Sequence, residues 1–424
     1  MNHERRCNSL PEDLGAPLLV GLWKRRALWM SAAFSALAAG LAAADRSIDH
    51  LLRAALLGMV LTLGFAVGGL ALLMLQYLTG GKWGLLLRRP LEAMSRTLPL
   101  VFAYWLVIAL SLKKIYLWAQ VGNVSKALRS GIINGAQAHA IAFKRPMLNP
   151  AAFFVVGLIC FAVWGLYAWR LSARGLQRDA DRSISAQQWR RRLENFSGHG
   201  LLLYAITTTA AAIYWVMSLD PTWYSSVYGL LFLVGQGYAA LAVATLTVLS
   251  LAEAEPMRTL LRKSGQQDLG TFSFAFVMLY AYLAFSQFLI IWSGNLPAEI
   301  PWYLDRMSGH WSAIMALNFI FHWLIPFALL LSRDLKRNRK RLMRVCQWMI
   351  FAKAFDLFWL IEPSYRDAAR NLHFSWGILE YAAVPAAMTA LWIAYFCVQL
   401  QARPLIESND PQLRQMLERE DVCA

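Results

Sequence analysis

Charge is scarce in this chain. Asp, Glu, Lys and Arg together make up 16% of the 424 residues, against 58% apolar types. A soluble chain of this length carries more charge and exposes less aromatic surface. Cysteine is scarce too, and scattered: Cys7, Cys160, Cys346, Cys397 and Cys423 form no CxxC pair and no CxxCH. That argues against c-type haem, iron–sulfur clusters and structural zinc bound by this chain. Cys160 and Cys397 sit in apolar runs, where a thiol behaves as a small hydrophobe. A b-type haem needs two well-placed axial histidines, and only His322 lies well inside an apolar segment; His199 and His310 fall near segment ends. No nucleophile–base or metal motif of a stand-alone enzyme occurs. No connection is long enough for a soluble domain, and no low-complexity tract is present.

What the chain does have is apolar runs of about twenty residues, the length that crosses a hydrocarbon core of roughly 30 Å. They predict an all-α, polytopic membrane protein of about ten transmembrane helices, near residues 27–44, 55–78, 98–119, 150–171, 200–219, 227–251, 269–292, 311–331, 342–361 and 376–400. Lys113 and Lys114 interrupt the third and are expected to snorkel to an interface. The expected organisation is a tail over 1–26, a membrane domain over 27–401 and a second tail over 402–424. Glu12 and Asp13, with no small-residue cleavage site, are unlike a secretory signal.

The formal net charge is +16. The basic residues cluster at helix ends, where they meet anionic lipid headgroups, so no nucleic-acid partner is expected. Most Lys and Arg fall in the N-terminal tail, the links after the second, fourth, sixth and eighth helices, and the C-terminal tail. The positive-inside rule then predicts both termini on the cytoplasmic side.

The opposite links are poor in basic residues and rich in proline and aromatics, as in Asp220-Pro221-Thr222-Trp223-Tyr224 and Asn295 to Tyr303. They read either as an aromatic belt at headgroup level or as a shaped external surface that docks a partner or roofs a lipid-soluble ligand. Within the apolar runs, polar groups need a reason, because an ionisable side chain at the bilayer centre costs at least about 2.5–3.5 kcal/mol on insertion scales. Lys353 and Asp356 are three apart and share a helix face, as a buried ion pair or a proton relay. Asn318 and His322 are four apart. Ser273, Tyr280 and Gln287 repeat every seven residues along one face, with Tyr282 and Ser286 on the opposite one. These polar residues read either as interhelical hydrogen bonds or as part of a site. Asp220, Glu299, Glu362, His373 and Glu380 flank the external ends, as solvated charges or as proton acceptors.

Several stretches resemble one family. They are Leu75-Gln76-Tyr77-Leu78-Thr79-Gly80-Gly81-Lys82-Trp83-Gly84 with Arg88-Arg89; Leu148-Asn149-Pro150 with Phe153; Tyr214 to Ser225; and, longest, Ala281 to Pro297 running on to Ile300-Pro301-Trp302-Tyr303. Together they resemble the ActF-type integral membrane subunit of bacterial alternative complex III, a quinol:cytochrome c oxidoreductase, within the NrfD/PsrC-like group. Thr222 stands where that pattern carries a histidine, and Ala298 where it carries a second acid. The resemblance implies a ten-helix subunit without its own redox centre. Its expected partners are haem c and iron–sulfur subunits, a second NrfD-like subunit and lipids, and its expected ligand is a quinone or quinol. Candidate quinone-site residues are Tyr280, Tyr282, Ser286, Gln287, Trp223 and Tyr224. Candidate proton-path residues are Asp220, His322, Lys353, Asp356, Glu362 and Glu380. A proton- or ion-conducting subunit and an independent transporter are the alternatives; Pro326 and Pro385 break helices but form no matched pair of the kind transporters repeat.

Overall fold

In a bilayer every backbone polar group must be satisfied within the protein, so long apolar runs fold as helices. The computed structural model describes residues 14–45, 48–180, 183–366 and 376–407; Cys7, His373 and Cys423 lie outside them. The architecture is all-α. The long helices are α1 (Leu18–Asp45), α2 (Asp49–Thr79), α3 (Arg88–Ser95), α4 (Leu98–Leu110), α5 (Gly135–Lys144), α6 (Pro150–Ala180), α7 (Ala186–Trp215), α8 (Tyr228–Ser250), α9 (Lys263–Gly294), α10 (Ile300–Met307), α11 (His310–Asn318), α12 (Ile325–Leu331), α13 (Arg339–Ile361) and α14 (Glu380–Gln401). Among the described residues, nine helices are long and apolar enough to span a membrane; α3 with α4, and α11 with α12, each count as one. α13 is a tenth helix of spanning length and carries Arg344, Lys353 and Asp356. The chain is a multi-pass membrane protein.

α2 and α8 form the centre. Their most apolar windows are 94% and 89% buried, whereas those of α9 and the α11–α12 helix are 22% buried. Lipid tails are as apolar as leucine, so close backbone packing holds such helices together. Gly64 and Gly68 of α2 supply that closeness: a Cβ on Gly68 would lie 2.4 Å from the Gln236 carbonyl oxygen of α8. α14, α4 and α7 pack around α2, α1 packs against α14, and α9 and α13 pack on α8.

Three segments differ from the sequence expectation. The third span is shifted toward its start: helix runs through α3 and α4, the backbone breaks at Ser111, and Lys113 and Lys114 are exposed beyond it. It begins early because its charges are neutralised internally. Arg89 pairs with Glu92 at 2.7 Å and with Asp179, and Arg88 pairs with Glu407 at 2.8 Å. Second, α6 and α7 run well past the bilayer length, so most of the expected connection 172–199 is helical. Arg178 and Asp179 on that extension join the same network. Third, the start of the C-terminal tail is packed rather than solvated. Leu405, Ile406 and Glu407 are buried, and Glu407 accepts from Tyr77, Arg88 and Arg178. At the other end of the chain, α1 already begins at Leu18.

The sharp exit from α2 has a local cause. Gly80 and Gly81 take φ of 66° and 95°, which a side chain would strain. A Cβ on Gly84 would lie 2.0 Å from Gln76 Cγ. The turn therefore folds Gln76 inward, where its Oε1 accepts from Arg88 Nε at 2.6 Å.

Candidate functional site

The helix containing His322 is irregular, and Pro326 supplies the reason. Proline has no N–H, so the carbonyl of His322, four residues earlier, loses its helical donor. Residues 319–324 widen into a π-turn. Neighbouring helices supply donors instead. Trp348 Nε1 of α13 donates to the Phe321 carbonyl at 2.9 Å, and the Tyr238 hydroxyl of α8 donates to the His322 carbonyl at 3.5 Å. The His322 ring stacks on Tyr238 with centroids 4.5 Å apart and packs against Tyr280 at 4.3 Å. Such turns recur at functional sites.

Across from this turn, α13 carries the charged pair. Lys353 Nζ lies 2.7 Å from Asp356 Oδ2. The Tyr280 hydroxyl donates to the same oxygen at 2.5 Å, and Asn318 Nδ2 donates to Oδ1 at 3.0 Å. Lys353 also donates to the Tyr280 hydroxyl at 3.3 Å. All four residues are buried. Room for the ammonium exists because residue 235 is glycine: a Cβ there would lie 2.7 Å from Nζ.

A cavity of about 630 Å³ opens beside this cluster. Tyr280, Asn318, His322 and Asp356 line its deep end, and Gln287 and Tyr303 line it on the side of the proline-rich links. Aromatic and aliphatic side chains, Phe288 and Trp359 among them, make up the remaining wall. Three lining residues, Phe285, Met307 and Phe319, are exposed on the outer surface of the bundle, so the cavity has a lateral, apolar mouth. Its volume and lining match those of small-molecule sites, which are mostly apolar with a few convergent polar groups. Two of those polar atoms are buried without a hydrogen-bond partner among the described residues: His322 Nε2 and Asn318 Oδ1. One ring nitrogen and one amide oxygen can thus serve an oxygen-bearing head group.

The proline-rich links close the other end. Gln287 Nε2 donates to the Tyr303 hydroxyl at 3.2 Å and its Oε1 accepts from Ser225 at 3.2 Å. Trp223 stacks flat on Trp302, centroids 4.4 Å apart, and the Arg306 guanidinium lies 3.6 Å over the other ring of that stack, Trp302. Arg306 is fully buried; burial lowers its pKa to about 9, against the attraction of Asp220. Burial alone would raise the Asp220 carboxyl. Arg366, 2.7 Å away, and the Thr222 hydroxyl outweigh it and hold Asp220 below the usual carboxylate range. Arg366 also reaches Asp305 at 3.1 Å.

The twelve candidate residues therefore separate into groups. Tyr280, Gln287, His322 and Asp356 line one cavity, with Lys353 behind Asp356. Tyr282, 66% exposed, faces outward, and Ser286 does not line the cavity. Trp223 and Asp220 belong to the capping cluster, and Tyr224 is half exposed beneath Lys144. Glu362 and Glu380 are buried near the start of α14, outside the cavity. There Tyr381 donates to Glu362, and burial raises that carboxyl to about 7 in spite of this bond. Thr222 and Ala298 share a second crevice of about 310 Å³ with Gln137, His139 and Arg366. The sequence reading did not assign Tyr303 or Asn318 to the site. Asn318 carried a signal in its four-residue spacing from His322; Tyr303 carried none beyond its place in an aromatic link.

Among the described residues no cluster of three or more His, Cys, Asp or Glu is placed to hold a metal ion. Compared with known proteins, the chain matches no family model and no curated protein.

Proposed function

We propose that this chain is the integral membrane subunit of a quinol oxidoreductase assembly of the alternative complex III type, and that it takes a quinol or quinone into the cavity between α9, α11 and α13. The observation that carries this reading is the cavity's lining. A lipid-soluble molecule with a flat ring and polar oxygens needs apolar walls, a mouth open to hydrocarbon, and a donor or acceptor at each oxygen. The mouth at Phe285, Met307 and Phe319 suits entry from the bilayer. His322 Nε2 and Asn318 Oδ1 are free to meet one oxygen, and Gln287 with the Tyr303 hydroxyl to meet the other. Burial raises the Tyr303 hydroxyl to about 12, so it serves as a neutral donor.

The chain's own residues would then hold the ring and handle protons at its deep end. His322 Nε2 is the acceptor nearest to hand for a hydroxyl proton, and Asp356 stands behind it with Lys353. Electrons would leave through partner subunits bearing haem c and iron–sulfur clusters, beside a second NrfD-like subunit. The charge bias places both termini in the cytoplasm of a bacterial inner membrane, with the proline-rich links outside. A proton-conducting role is the second reading. It is favoured by a void of about 10 Å³ on the far side of Lys353, which reaches Gln236, itself bonded to the Tyr204 hydroxyl at 2.9 Å.

Mild-detergent purification tests the assembly: haem or iron–sulfur subunits should co-purify, and a clean monomer refutes it. Quinol kinetics test the site. Gln287→Leu and His322→Leu should each weaken quinol binding, whereas unaltered kinetics in both place the site elsewhere.

A further inference from the structure

α6 starts with Asn149 as its N-cap, whose Oδ1 accepts from the Ala152 N–H at 2.9 Å, and Pro150 as first residue. From Pro150, about twenty residues at 1.5 Å rise cross roughly 30 Å. The helix therefore leaves the hydrocarbon near Arg170, at the end of the bundle rich in basic residues. Arg174 lies one turn further on, and Arg192 of the adjacent α7 reaches the same place. The three charges are close enough for Arg170 and Arg192 each to repel Arg174.

Several arginines close by in the bundle are neutralised. Arg88, Arg89, Arg178 and Arg403 all contact carboxylates, and the neighbouring Arg190 pairs with Glu194 at 2.6 Å. Arg170, Arg174 and Arg192 have no carboxylate partner among the described residues. Each instead lies on an aromatic face: Arg170 on Trp169 at 5.0 Å, Arg174 on Phe196 at 4.1 Å, and Arg192 on Trp189 at 5.5 Å. A guanidinium seated on a ring keeps its N–H edge free for bidentate hydrogen bonding to phosphate. Beneath the cluster, toward mid-membrane, α6 and α7 expose Leu166, Trp169, Leu202 and Ile206. Trp169, 62% exposed, sits at the depth where indoles favour the headgroup layer.

We infer that Arg170, Arg174 and Arg192 form a binding site for an anionic phospholipid with two phosphates, its acyl chains lying along the exposed faces of α6 and α7. Charge complementarity selects this occupant. Three like charges crowded without a carboxylate call for more than one negative charge, and the apolar surface directly below calls for chains attached to it. A diphosphate lipid supplies both, and a zwitterionic lipid supplies no net charge.

The test uses the purified, delipidated protein with whatever subunits accompany it. Thermal stability and lipid retention by native mass spectrometry are read after adding vesicle lipid of one kind: a diphosphatidylglycerol, phosphatidylcholine, or inorganic phosphate alone. Diphosphatidylglycerol should be retained and raise the midpoint. Phosphatidylcholine and phosphate should do neither. The triple variant Arg170→Gln/Arg174→Gln/Arg192→Gln should fold, because these side chains are at the surface, and should lose retention by tenfold or more. The triple Lys variant should recover part of it. Equal protection by inorganic phosphate, equal retention of phosphatidylcholine, or unchanged retention in the Gln variant would each overturn the inference.

Discussion

Replacing Asp356 by Asn keeps the shape of the side chain and removes one charge from a place that water does not reach. Asp356 is 2% exposed and Lys353 7%. In the wild type the carboxylate accepts three hydrogen bonds, from Lys353, Tyr280 and Asn318. Asn can still accept from Asn318 through its one oxygen, but its NH2 then stands in the place of Oδ2 and faces both the Tyr280 hydroxyl and the ammonium. Breaking a buried ion pair by removing one partner costs about 3–5 kcal/mol, because the other charge is left buried and uncompensated. We expect about 3 kcal/mol for Asp356→Asn and rather more for Lys353→Met, which strands the carboxylate. The double variant Lys353→Met/Asp356→Asn strands neither. Its Asn oxygen accepts from Asn318 and its NH2 donates to the Tyr280 hydroxyl, so it should cost only about 1–2 kcal/mol, since a single hydrogen bond contributes about 0.5–1.5 kcal/mol net. The double-mutant cycle, read by unfolding in mixed micelles, should thus show a coupling of several kcal/mol. Independent sites add within about 0.5 kcal/mol. If the double variant costs as much as the two singles together, the pair does not hold the helices as described. On the proposed function, quinol turnover of the double variant separates the roles. A protein restored in stability but still slow has lost a proton-handling group. One restored in both had only a structural pair.

Three further outcomes follow from the geometry. Gly235→Ala places a methyl against Lys353 Nζ and should displace the ammonium, lowering stability by about 1–3 kcal/mol as overpacking does; micelle unfolding measures it, and a neutral result means the helices part easily. Tyr280→Phe should weaken binding of a quinone analogue about tenfold by loosening the Asp356 cluster, while Tyr282→Phe, on the outward face, should leave it unchanged; a displacement titration compares the two. Glu362 binds its proton more tightly in the folded state, with a pKa raised to about 7 by burial. Its folded state therefore holds more protons than the unfolded one between the ordinary carboxylate range and pH 7. Stability should fall as pH rises through that window and level off above it. Glu362→Gln should flatten this part of the pH profile, and an unchanged slope assigns it to another group.

The number and approximate places of the spans were legible because length and apolarity report directly on the bilayer. Which spans are central was not. α2 is only a little more apolar as a sequence than α9, whose window is mostly exposed, and the small residues Gly64 and Gly68 are the other hint that α2 is enclosed. The early start of the third span was hidden for a related reason. Arg88 and Arg89 read as the end of a helix, and their neutralising partners, Asp179 and Glu407, are far away in the chain. The seven-residue repeat of Ser273, Tyr280 and Gln287 did foretell an inward face: all three are buried, and Tyr282 points away. The pairing of Trp223 with Trp302 was beyond reach, since it joins two links that only the packed bundle brings together. Gly80, Gly81 and Gly84 stood out as a motif, and the structure supplies their physical purpose in folding Gln76 under Arg88.

The widened turn at residues 319–324 makes chain length a variable of the cavity. A π-turn holds one residue more than the α-helical turn it replaces. Removing one residue there would leave a continuous helix of ordinary pitch, so nothing need unfold. The side chains on either side would keep their facing, because the widened turn absorbs its extra residue within itself; only those inside the turn, His322 among them, would be presented differently. Asn318 would keep its bond to Asp356 and Pro326 and Leu330 their present packing, while the His322 ring would shift relative to Tyr238 and Tyr280. Two sequences differing by one residue at this point would share the same bundle and enclose cavities of different chemistry. A substitution scan cannot reach that distinction, because it never changes the count.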